Sequence, residues 1–253
     1  MSQKLRQDQI LDILKAQGYV TVRYLTNALQ YSTATVNRDL NAMQLLGLVK
    51  RSYGGVELAK ERSFPPLSQR LFYQKMEKRR IAEKAAEQIQ NGDTVFLEGT
   101  TTVQYMLPFL LPKKELTVIT NSLRLALDLG DSPFNVVCLG GKIAERPHVL
   151  YSEETVENAM RYRPDKMFFS TDCITVDGSI HSDTHLFHTI LLKNSREVWF
   201  LTDKTKLTDH LSTVLCDFSH LTGVVSDFEF PAKTKERYPN VRFFSVGDEK
   251  NPG

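Results

Sequence analysis

The sequence predicts an α/β protein in two parts, a small N-terminal domain of short helices with a β-hairpin and a larger domain built on a parallel sheet. Two observations lead to this fold class. Three amphipathic helical patterns and a basic hairpin pattern occupy the first 58 residues. From residue 93 onward, short apolar runs alternate with helical stretches, which is typical of a mostly parallel sheet covered on both faces. We therefore predict domains over residues 1–58 and 81–253, joined by a helical linker over 59–80.

The composition is that of an ordinary globular protein. With 253 residues, 41% of them hydrophobic, and a net charge of +2, the chain can bury a core, which excludes wholesale disorder, collagen and a disulfide scaffold. No apolar run approaches the roughly 18 residues of a membrane span, and the first eight residues contain no apolar signal core. The three cysteines are scattered, as in proteins with reduced thiols. Cys138 and Cys216 lie in apolar strand-like runs, which predict core positions. These features predict a cytoplasmic protein without a membrane partner, and the sequence indicates no cofactor.

The small net charge hides an asymmetry between the two parts. Residues 1–80 carry 14 Lys or Arg against 6 Asp or Glu, a net charge of +8, whereas residues 81–253 carry 18 against 24, a net charge of −6. A basic N-terminal part joined to an acidic remainder indicates a polyanionic partner for the first part alone. A solvated basic surface would give the same sum, so the charge by itself leaves nucleic-acid binding open.

Local signals define the first two helices. Ile10, Leu11 and Leu14 form an apolar stripe at helical spacing, and Gly18 is placed to end that helix. Thr21 then precedes a second short apolar pattern and can act as its N-cap, because a threonine hydroxyl accepts a hydrogen bond from the backbone of the first turn.

The third helix has the features of a recognition helix. Ser32 can cap it, and Val36 and Leu40 face inward at positions i and i+4. A short basic strand over 48–51 and a glycine-containing turn over 53–56 then predict a hairpin. Three helices followed by a basic hairpin predict a winged helix-turn-helix, whose third helix fits the major groove of DNA.

The outer face of the third helix and the wing supply the candidate DNA contacts. Asparagine can pair with adenine edges, arginine with guanine or phosphate, and threonine hydroxyls with phosphate. The alternative is a plain three-helix surface motif with a solvated polar face. The candidates are Thr21, Ser32, Thr33, Thr35, Asn37, Arg38 and Asn41 from the helices and Lys50, Arg51 and Tyr53 from the wing.

The segment between the two parts predicts a break followed by a helix. Pro65 and Pro66 cannot continue a helix or a strand ladder. Residues 67–89 then predict one helix. Its buried stripe would be Ile81, Ala82, Ala85, Ala86 and Ile89. Its basic residues fit a solvated face paired with nearby glutamates better than a set of phosphate contacts.

Polar residues follow most strands of the predicted sheet. The strands are expected at 94–97, 116–120, 135–139, 166–170, 198–202, 223–226 and 242–246. The carboxyl ends of parallel strands share one edge, where ligands collect. Glycines there let a ligand approach the backbone, free N–H groups and lysines favour an anion, and carboxylates suit sugar hydroxyls. The crevice residues are Glu98, Gly99, Thr100, Thr101, Thr102, Thr120, Asn121, Ser122, Gly140, Gly141, Lys142, Asp172, Asp203 and Lys206.

Two N-terminal segments resemble a known family. Residues 32–40, Ser-Thr-Ala-Thr-Val-Asn-Arg-Asp-Leu, and residues 46–55, Leu-Gly-Leu-Val-Lys-Arg-Ser-Tyr-Gly-Gly, are similar to the helix-turn-helix signature and the wing of the DeoR family of bacterial sugar-metabolism regulators. Asn37 stands where that family usually has Arg or His, and Tyr53 where it usually has His. We expect these departures to change the operator sequence that is read rather than the ability to bind DNA.

The larger part resembles the effector domain of the same family, so the resemblance covers roughly residues 3–245. That domain is similar in fold to ribose-5-phosphate isomerase and CoA transferases, and the resemblance implies a sugar-phosphate effector. Glu98 lies near the family's usual Asp, and His185, a further effector-binding candidate, stands where the family often has Glu. Because these departures surround the expected pocket, the identity of the sugar does not transfer.

The sequence predicts a DNA-binding transcriptional regulator, a repressor of a carbohydrate catabolism operon, that acts as a homodimer or larger homo-oligomer under the control of a sugar phosphate. The alternative is a sugar-phosphate isomerase-like enzyme with an appended DNA-binding domain, with Glu98, Asp172 and Asp203 as candidate bases. A third hypothesis is a constitutive DNA-binding protein with an empty C-terminal domain. The spacing of His185 and His188 also permits a metal site, although histidines near a sugar pocket more often donate hydrogen bonds.

Overall fold

The computed structural model describes residues 3–45, 48–52, 55–59, 67–144, 148–182, 185–208 and 213–247. It divides into two compact units, Met1–Arg70 and Leu71–Gly253, so that the predicted linker over 59–80 is shared between them. No helix within the described residues is both long enough and apolar enough to cross a lipid bilayer.

The N-terminal unit is a winged helix-turn-helix. Its three-stranded antiparallel sheet has the order β1-β3-β2. The elements are α1 (Gln3–Gln17), β1 (Tyr19–Thr21), α2 (Val22–Leu29), α3 (Thr33–Leu45), β2 (Val49–Ser52) and β3 (Gly55–Leu58). The predicted turn residues Tyr53 and Gly54, and Gly47 after the third helix, lie outside the described residues.

The helix ends form at the predicted residues. Gly18 has a φ of +74° and its amide donates to the Leu14 carbonyl at 2.9 Å, which ends α1. The Thr21 hydroxyl accepts from the Tyr24 amide at 3.1 Å and caps α2. The Ser32 hydroxyl accepts from the third helix's first turn at 3.1 Å. The predicted caps are therefore confirmed.

A buried ion pair ties the first helix to the third. The Asp39 carboxylate on α3 is 1% exposed and accepts from Arg6 on α1 through Nε at 2.7 Å and Nη2 at 3.1 Å. This two-point contact raises the pKa of Arg6 above its ordinary value. It fixes α3 against a core formed by Ile10, Leu11, Leu14, Val20, Leu25, Val36, Leu40, Met43, Val49 and Val56.

The second unit is built on one seven-stranded parallel sheet of order β13-β12-β10-β7-β4-β5-β6. The predicted strands are confirmed to within one residue at each end. They are β4 (Thr94–Leu97), β5 (Thr117–Thr120), β6 (Asn135–Cys138), β7 (Lys166–Phe169), β10 (Glu197–Thr202), β12 (Gly223–Ser226) and β13 (Arg242–Ser245).

Helices cover both faces of this sheet. Along β4, Phe96 packs into one core while Val95 and Leu97 pack into the other, as expected from the alternation of side chains on a strand. The predicted stripe from Ile81 to Ile89 is buried in the second core. The helices of the larger unit are α5 (Lys75–Ala86), α6 (Thr101–Gln104), α7 (Leu107–Leu110), α8 (Leu123–Leu129), α9 (Glu153–Ala159), α10 (His185–Asn194) and α11 (Ala232–Arg237), and α4 (Leu67–Phe72) spans the boundary between the two units.

A second, small sheet of the larger unit was not predicted. It is antiparallel, has the order β11-β9-β8, and consists of β8 (Cys173–Ile174), β9 (Ser179–His181) and β11 (Val214–Asp217). β8 and β9 have two and three residues and are too short to show a period in the sequence. β11 pairs with β9, so this sheet depends on contacts between distant segments.

Two expectations about the larger unit are wrong. Residues 67–89 form two helices rather than one, because Gln74 adopts a φ of +52° and α5 restarts after it. Cys138, whose apolar surroundings predicted a core position, is exposed because it ends β6, the edge strand of the sheet. Cys216, also predicted to be core, is buried.

The ion pair between α1 and α3 gives a stability prediction. Asp39→Ala removes the carboxylate that faces the largely buried Arg6 guanidinium and is expected to lower the free energy of unfolding of the N-terminal unit by about 3 kcal/mol. Urea unfolding of the full chain, followed by far-UV circular dichroism, measures the change. Asp12→Ala, at an exposed ion pair with Lys15, is the control, with an expected loss below about 0.5 kcal/mol. Equal losses in the two variants would contradict a structural role for the Asp39 pair.

Candidate nucleic-acid interface and ligand crevice

The outer face of α3 presents polar side chains, and its inner face is core. Thr33, Arg38 and Asn41 are exposed, while Asn37 is half-buried. Three other residues that were predicted to contact DNA form hydrogen bonds within the N-terminal unit. Thr21 caps α2, and the hydroxyls of Ser32 and Thr35 lie 2.8 Å apart at the start of α3.

The wing brings one predicted residue onto the third helix. The Arg51 guanidinium donates from Nη1 to Oδ1 of Asn41 at 2.5 Å and from Nη2 to Oδ1 of Asn37 at 2.6 Å. Lys50, the neighbouring wing residue, is exposed. Arg51 was predicted to flank the DNA backbone, but its fork is turned onto α3. Tyr53 lies outside the described residues.

At the carboxyl edge of the large sheet, three polar side chains from distant parts of the sequence meet. The Lys206 ammonium, in the single turn after β10, donates to the Ser170 hydroxyl after β7 at 2.5 Å. It also reaches the Thr102 hydroxyl at the start of α6 at 3.5 Å. Asp203 positions this turn, because its carboxylate accepts from the Thr205 amide at 3.0 Å and its carbonyl accepts from the Lys206 amide at 3.0 Å.

Glu98, a predicted ligand contact, is engaged in the fold. It is 5% exposed, and one of its oxygens lies 2.6 Å from Nε2 of His188 while the other accepts from the Ser170 amide at 2.9 Å. Glu98 therefore ties β4 to β7 and α10. Sequence spacing suggested His188 only as a metal ligand, and within the described residues no group of three metal-binding side chains occurs.

The end of β5 also builds the edge of the sheet. The Thr120 hydroxyl donates to the Leu97 carbonyl at 2.6 Å, Asn121 Oδ1 accepts from the Gly99 amide at 3.0 Å, and the Ser122 hydroxyl caps α8. These side chains hold the loop after β4 in place. These hydrogen bonds are made within the fold, and contact of these three residues with a ligand stays a prediction.

The two glycines after β6 are required by a left-handed backbone at both positions and by a close approach to α9 at Gly141. Gly140 and Gly141 have φ values of +73° and +111°, and a Cβ on Gly141 would lie 2.1 Å from Oγ1 of Thr155. That hydroxyl donates to the Gly140 carbonyl at 2.7 Å. The Lys142 side chain is exposed beyond them. Of the other predicted crevice residues, Thr100 and Thr101 are buried, Asp172 is half-buried, and the His185 side chain lies outside the described residues.

Three buried polar atoms at this edge have no hydrogen-bond partner within the described residues. They are Oγ1 of Thr100, Oγ1 of Thr202 and Oδ2 of Asp227, at the ends of β4, β10 and β12. Each unsatisfied group costs about 1–3 kcal/mol, and such costs are typical of functional sites. Asp227 directly follows β12 and is not among the predicted site residues, because an aspartate after a strand is an ordinary turn residue.

Burial changes the acidity of Asp227. Desolvation, together with the neighbouring Asp203 charge, raises the pKa of Asp227 to about 6, although its Oδ1 accepts from the Lys204 amide at 2.7 Å. The carboxyl edge thus combines a lysine, hydroxyls and a carboxyl group that titrates near neutrality.

Two family models match the chain. The DeoR-like helix-turn-helix domain matches residues 6–62, and the DeoR C terminal sensor domain matches residues 73–228. The glycerol-3-phosphate regulon repressor of Escherichia coli (strain K12) is 30% identical over 240 residues, which cover 93% of this chain and 95% of that protein. The lactose phosphotransferase system repressor of Staphylococcus aureus (strain NCTC 8325 / PS 47) is 30% identical over 244 residues, covering 93% of this chain and 96% of that protein.

Solved structures match more loosely. Translation initiation factor eIF-2B of Pyrococcus horikoshii OT3 aligns over 83% of this chain and 74% of its own, at 16% identity and a TM-score of 0.44. Ribose 5-phosphate isomerase A of Methanocaldococcus jannaschii aligns over 53% of this chain and 55% of its own, at 16% identity and a TM-score of 0.40. With TM-scores below 0.5, these likenesses carry no argument about what the chain binds.

The raised pKa of Asp227 gives a pH prediction. In the unfolded chain this carboxyl ionises near its ordinary pKa of 3.8, and in the fold it ionises only near 6. Ionisation of Asp227 therefore lowers the stability of the fold as the pH rises through this interval, and this contribution persists above it. Asp227→Asn removes the titrating group and keeps an acceptor for the Lys204 amide, so the variant is expected to be the more stable protein at pH 7.

Melting temperatures of both proteins between pH 4 and 8 measure this effect, with the exposed Asp131→Asn as the control. We expect the difference between Asp227→Asn and the wild type to grow from pH 4 to pH 7. Parallel profiles would contradict the burial of a carboxylate at this strand end.

Proposed function

Since the chain belongs to the DeoR family, we propose that it is a DNA-binding transcriptional repressor of a carbohydrate operon, controlled by a sugar phosphate bound at the carboxyl edge of its large sheet. The observation that carries this proposal is that one half of the chain matches a DeoR-like helix-turn-helix domain and the other a DeoR sensor domain. Its relatives include a glycerol-3-phosphate regulon repressor and a lactose phosphotransferase system repressor. We propose that it acts in the cytoplasm.

The polar face of α3 supports the DNA-binding half of the proposal. Arg38 is exposed on this helix and Lys50 is exposed on the wing beside it. An exposed arginine on a recognition helix can reach guanine or phosphate, and an exposed wing lysine can reach the backbone. The net charge of +8 over residues 1–80 favours the approach of a polyanion.

The contacts of Lys206 support the effector half. Its ammonium lies with the Ser170 and Thr102 hydroxyls at one edge of the sheet. The ammonium and the Thr102 hydroxyl can both donate to phosphate oxygens. The Ser170 hydroxyl donates to the Leu201 carbonyl at 2.5 Å, so its role is to accept from the ammonium and hold it in place. Asp227 at the neighbouring strand end suits a sugar hydroxyl, as acceptor when ionised and as donor when protonated.

We propose that the repressor acts as a homodimer or larger homo-oligomer, with paired recognition helices on repeated half-sites. The effector then changes operator affinity by favouring one arrangement of the assembly. By linkage, operator DNA must change effector affinity by the same factor. Size-exclusion chromatography with light scattering, with and without DNA, measures the assembly.

A sugar-phosphate isomerase-like enzyme is the second candidate function. It is less well supported than the repressor, because two of its candidate general bases already form hydrogen bonds within the fold. Both oxygens of Glu98 are engaged, by His188 and by the Ser170 amide, and Asp203 caps the turn that carries Lys206. A general base needs a carboxylate placed at the substrate's acidic proton. Isomerisation assays over triose, pentose and hexose phosphates are expected to show no turnover, and turnover that follows Glu98 would favour the enzyme.

The effector site gives a binding prediction. Lys206→Ala removes a charge-assisted contact worth about 1.5–3 kcal/mol and is expected to weaken binding of the responding sugar phosphate about 10- to 100-fold. Thermal-shift screening of triose, pentose and hexose phosphates, followed by calorimetry on the responding compound, measures it, with each unphosphorylated sugar as a ligand control. Lys204→Ala removes an exposed charge two residues away and serves as the matched variant. Unchanged affinity in Lys206→Ala would place the phosphate elsewhere.

The DNA-binding surface gives a separate prediction. Arg38→Ala is expected to weaken binding to a duplex selected by the wild-type chain about tenfold or more, because it removes a base or phosphate contact. Binding of the sugar phosphate should stay unchanged. Fluorescence anisotropy measures the binding of DNA, and calorimetry measures the binding of the sugar phosphate. Arg124→Ala, an exposed arginine on α8, is the control, and equal DNA affinity in the two variants would contradict the role of α3.

A further inference from the structure

The contact between Arg51 and the third helix fixes the orientation of two side chains. Asn37 and Asn41 lie one turn apart on α3, and each Oδ1 accepts from a different terminal nitrogen of the same guanidinium, at 2.6 and 2.5 Å. β2 lies in the wing sheet, so this contact joins the wing to the third helix.

The chemistry of the guanidinium settles which atom of each amide faces it. Arginine has five N–H donors and no acceptor, so only the amide oxygen of an asparagine can point toward it. The Nδ2 amino groups of Asn37 and Asn41 are consequently the ends turned away from Arg51. A free asparagine presents an acceptor and a donor together. In these two, Oδ1 already gives one of its two lone pairs to a cationic donor, so the Nδ2 amino group is the stronger group that each offers to a base.

This orientation changes which base the helix can read. Adenine presents an acceptor, N7, beside a donor, N6, and an asparagine pairs with both only if its oxygen and nitrogen are available. Guanine presents two acceptors, N7 and O6, side by side. An amino group with two hydrogens suits the two acceptors of guanine, and at adenine it would meet a second donor.

We propose that Arg51 is a positioning residue that turns Asn37 and Asn41 into donors and so directs this recognition helix toward guanine rather than adenine. The proposal rests on the proposed DNA-binding function. It replaces the simpler expectation from sequence that these asparagines pair with adenine and that Arg51 contacts the DNA backbone.

The experiment uses the full chain and a randomised duplex pool. Selection with the wild type defines the preferred sequence, and selection with Asn37→Ala identifies the position at which preference is lost. At that position the wild type is expected to favour guanine. Arg51→Ala frees the amide to rotate and is expected to shift the preference toward adenine by about tenfold, a change of about 1.4 kcal/mol.

Arg51→Lys separates positioning from charge. Lysine keeps the positive charge but lacks the planar fork that reaches two acceptors at once. If Arg51 acts by positioning, Arg51→Lys shifts base preference as Arg51→Ala does. If Arg51 acts as a phosphate contact, Arg51→Lys keeps the preference of the wild type, and the proposal is overturned. Should Arg51→Ala fail to fold by circular dichroism, Arg51→Lys carries the test alone.

The salt dependence of binding gives an independent readout. Each phosphate contact contributes about 0.9 to the slope of log affinity against log salt concentration. Lys50→Ala, at the exposed wing residue beside Arg51, is expected to lower this slope by about 0.9, and Arg51→Lys is expected to leave it unchanged. Arg51→Ala should also leave it unchanged, and a loss equal to that of Lys50→Ala would overturn the proposal. If the wild type selects no sequence at all, the DNA-binding function itself fails, which is a distinct result.

Discussion

The parallel alignment of seven strands is the constraint on which the larger unit depends. Parallel strands place all their carboxyl ends at one edge, so polar residues that follow different strands must come together there. Thr102, Ser170 and Lys206 meet at this edge although more than a hundred residues separate the first from the last. The apolar alternation that forms the sheet therefore also assembles the crevice.

In the N-terminal unit, two arginine contacts determine the position of the third helix and the orientation of its side chains. Arg6 holds α3 to α1 through the buried Asp39, and Arg51 joins the wing to the outer face of the same helix through two asparagines. One contact fixes the helix position and the other fixes the side chains that it presents. Because a guanidinium offers several donors in one plane, a single arginine can determine the orientation of two partners.

The elements that follow from local patterns were predictable. The seven strands, the caps at Thr21 and Ser32, and the buried stripe of α5 are each specified by a short stretch of sequence. The break at Gln74 and the β11-β9-β8 sheet were not. A left-handed glutamine and strands as short as β8 and β9 carry no periodic signal, and β11 joins the sheet only through its pairing with β9. The exposure of Cys138 was not predictable for another reason. It lies on β6, and strand order rather than local sequence places β6 at the edge of the sheet.

The sequence by itself determined which kinds of polar residues lie at the strand ends and on the third helix, because their positions follow from local periodicity. Only the tertiary structure decided what those groups do. Glu98 is bound to His188 and the Ser170 amide, and Asn37 is oriented by Arg51. The reason is that a hydrogen bond made within the fold uses up a lone pair or a proton, and the partner is brought close by chain folding rather than by neighbouring residues.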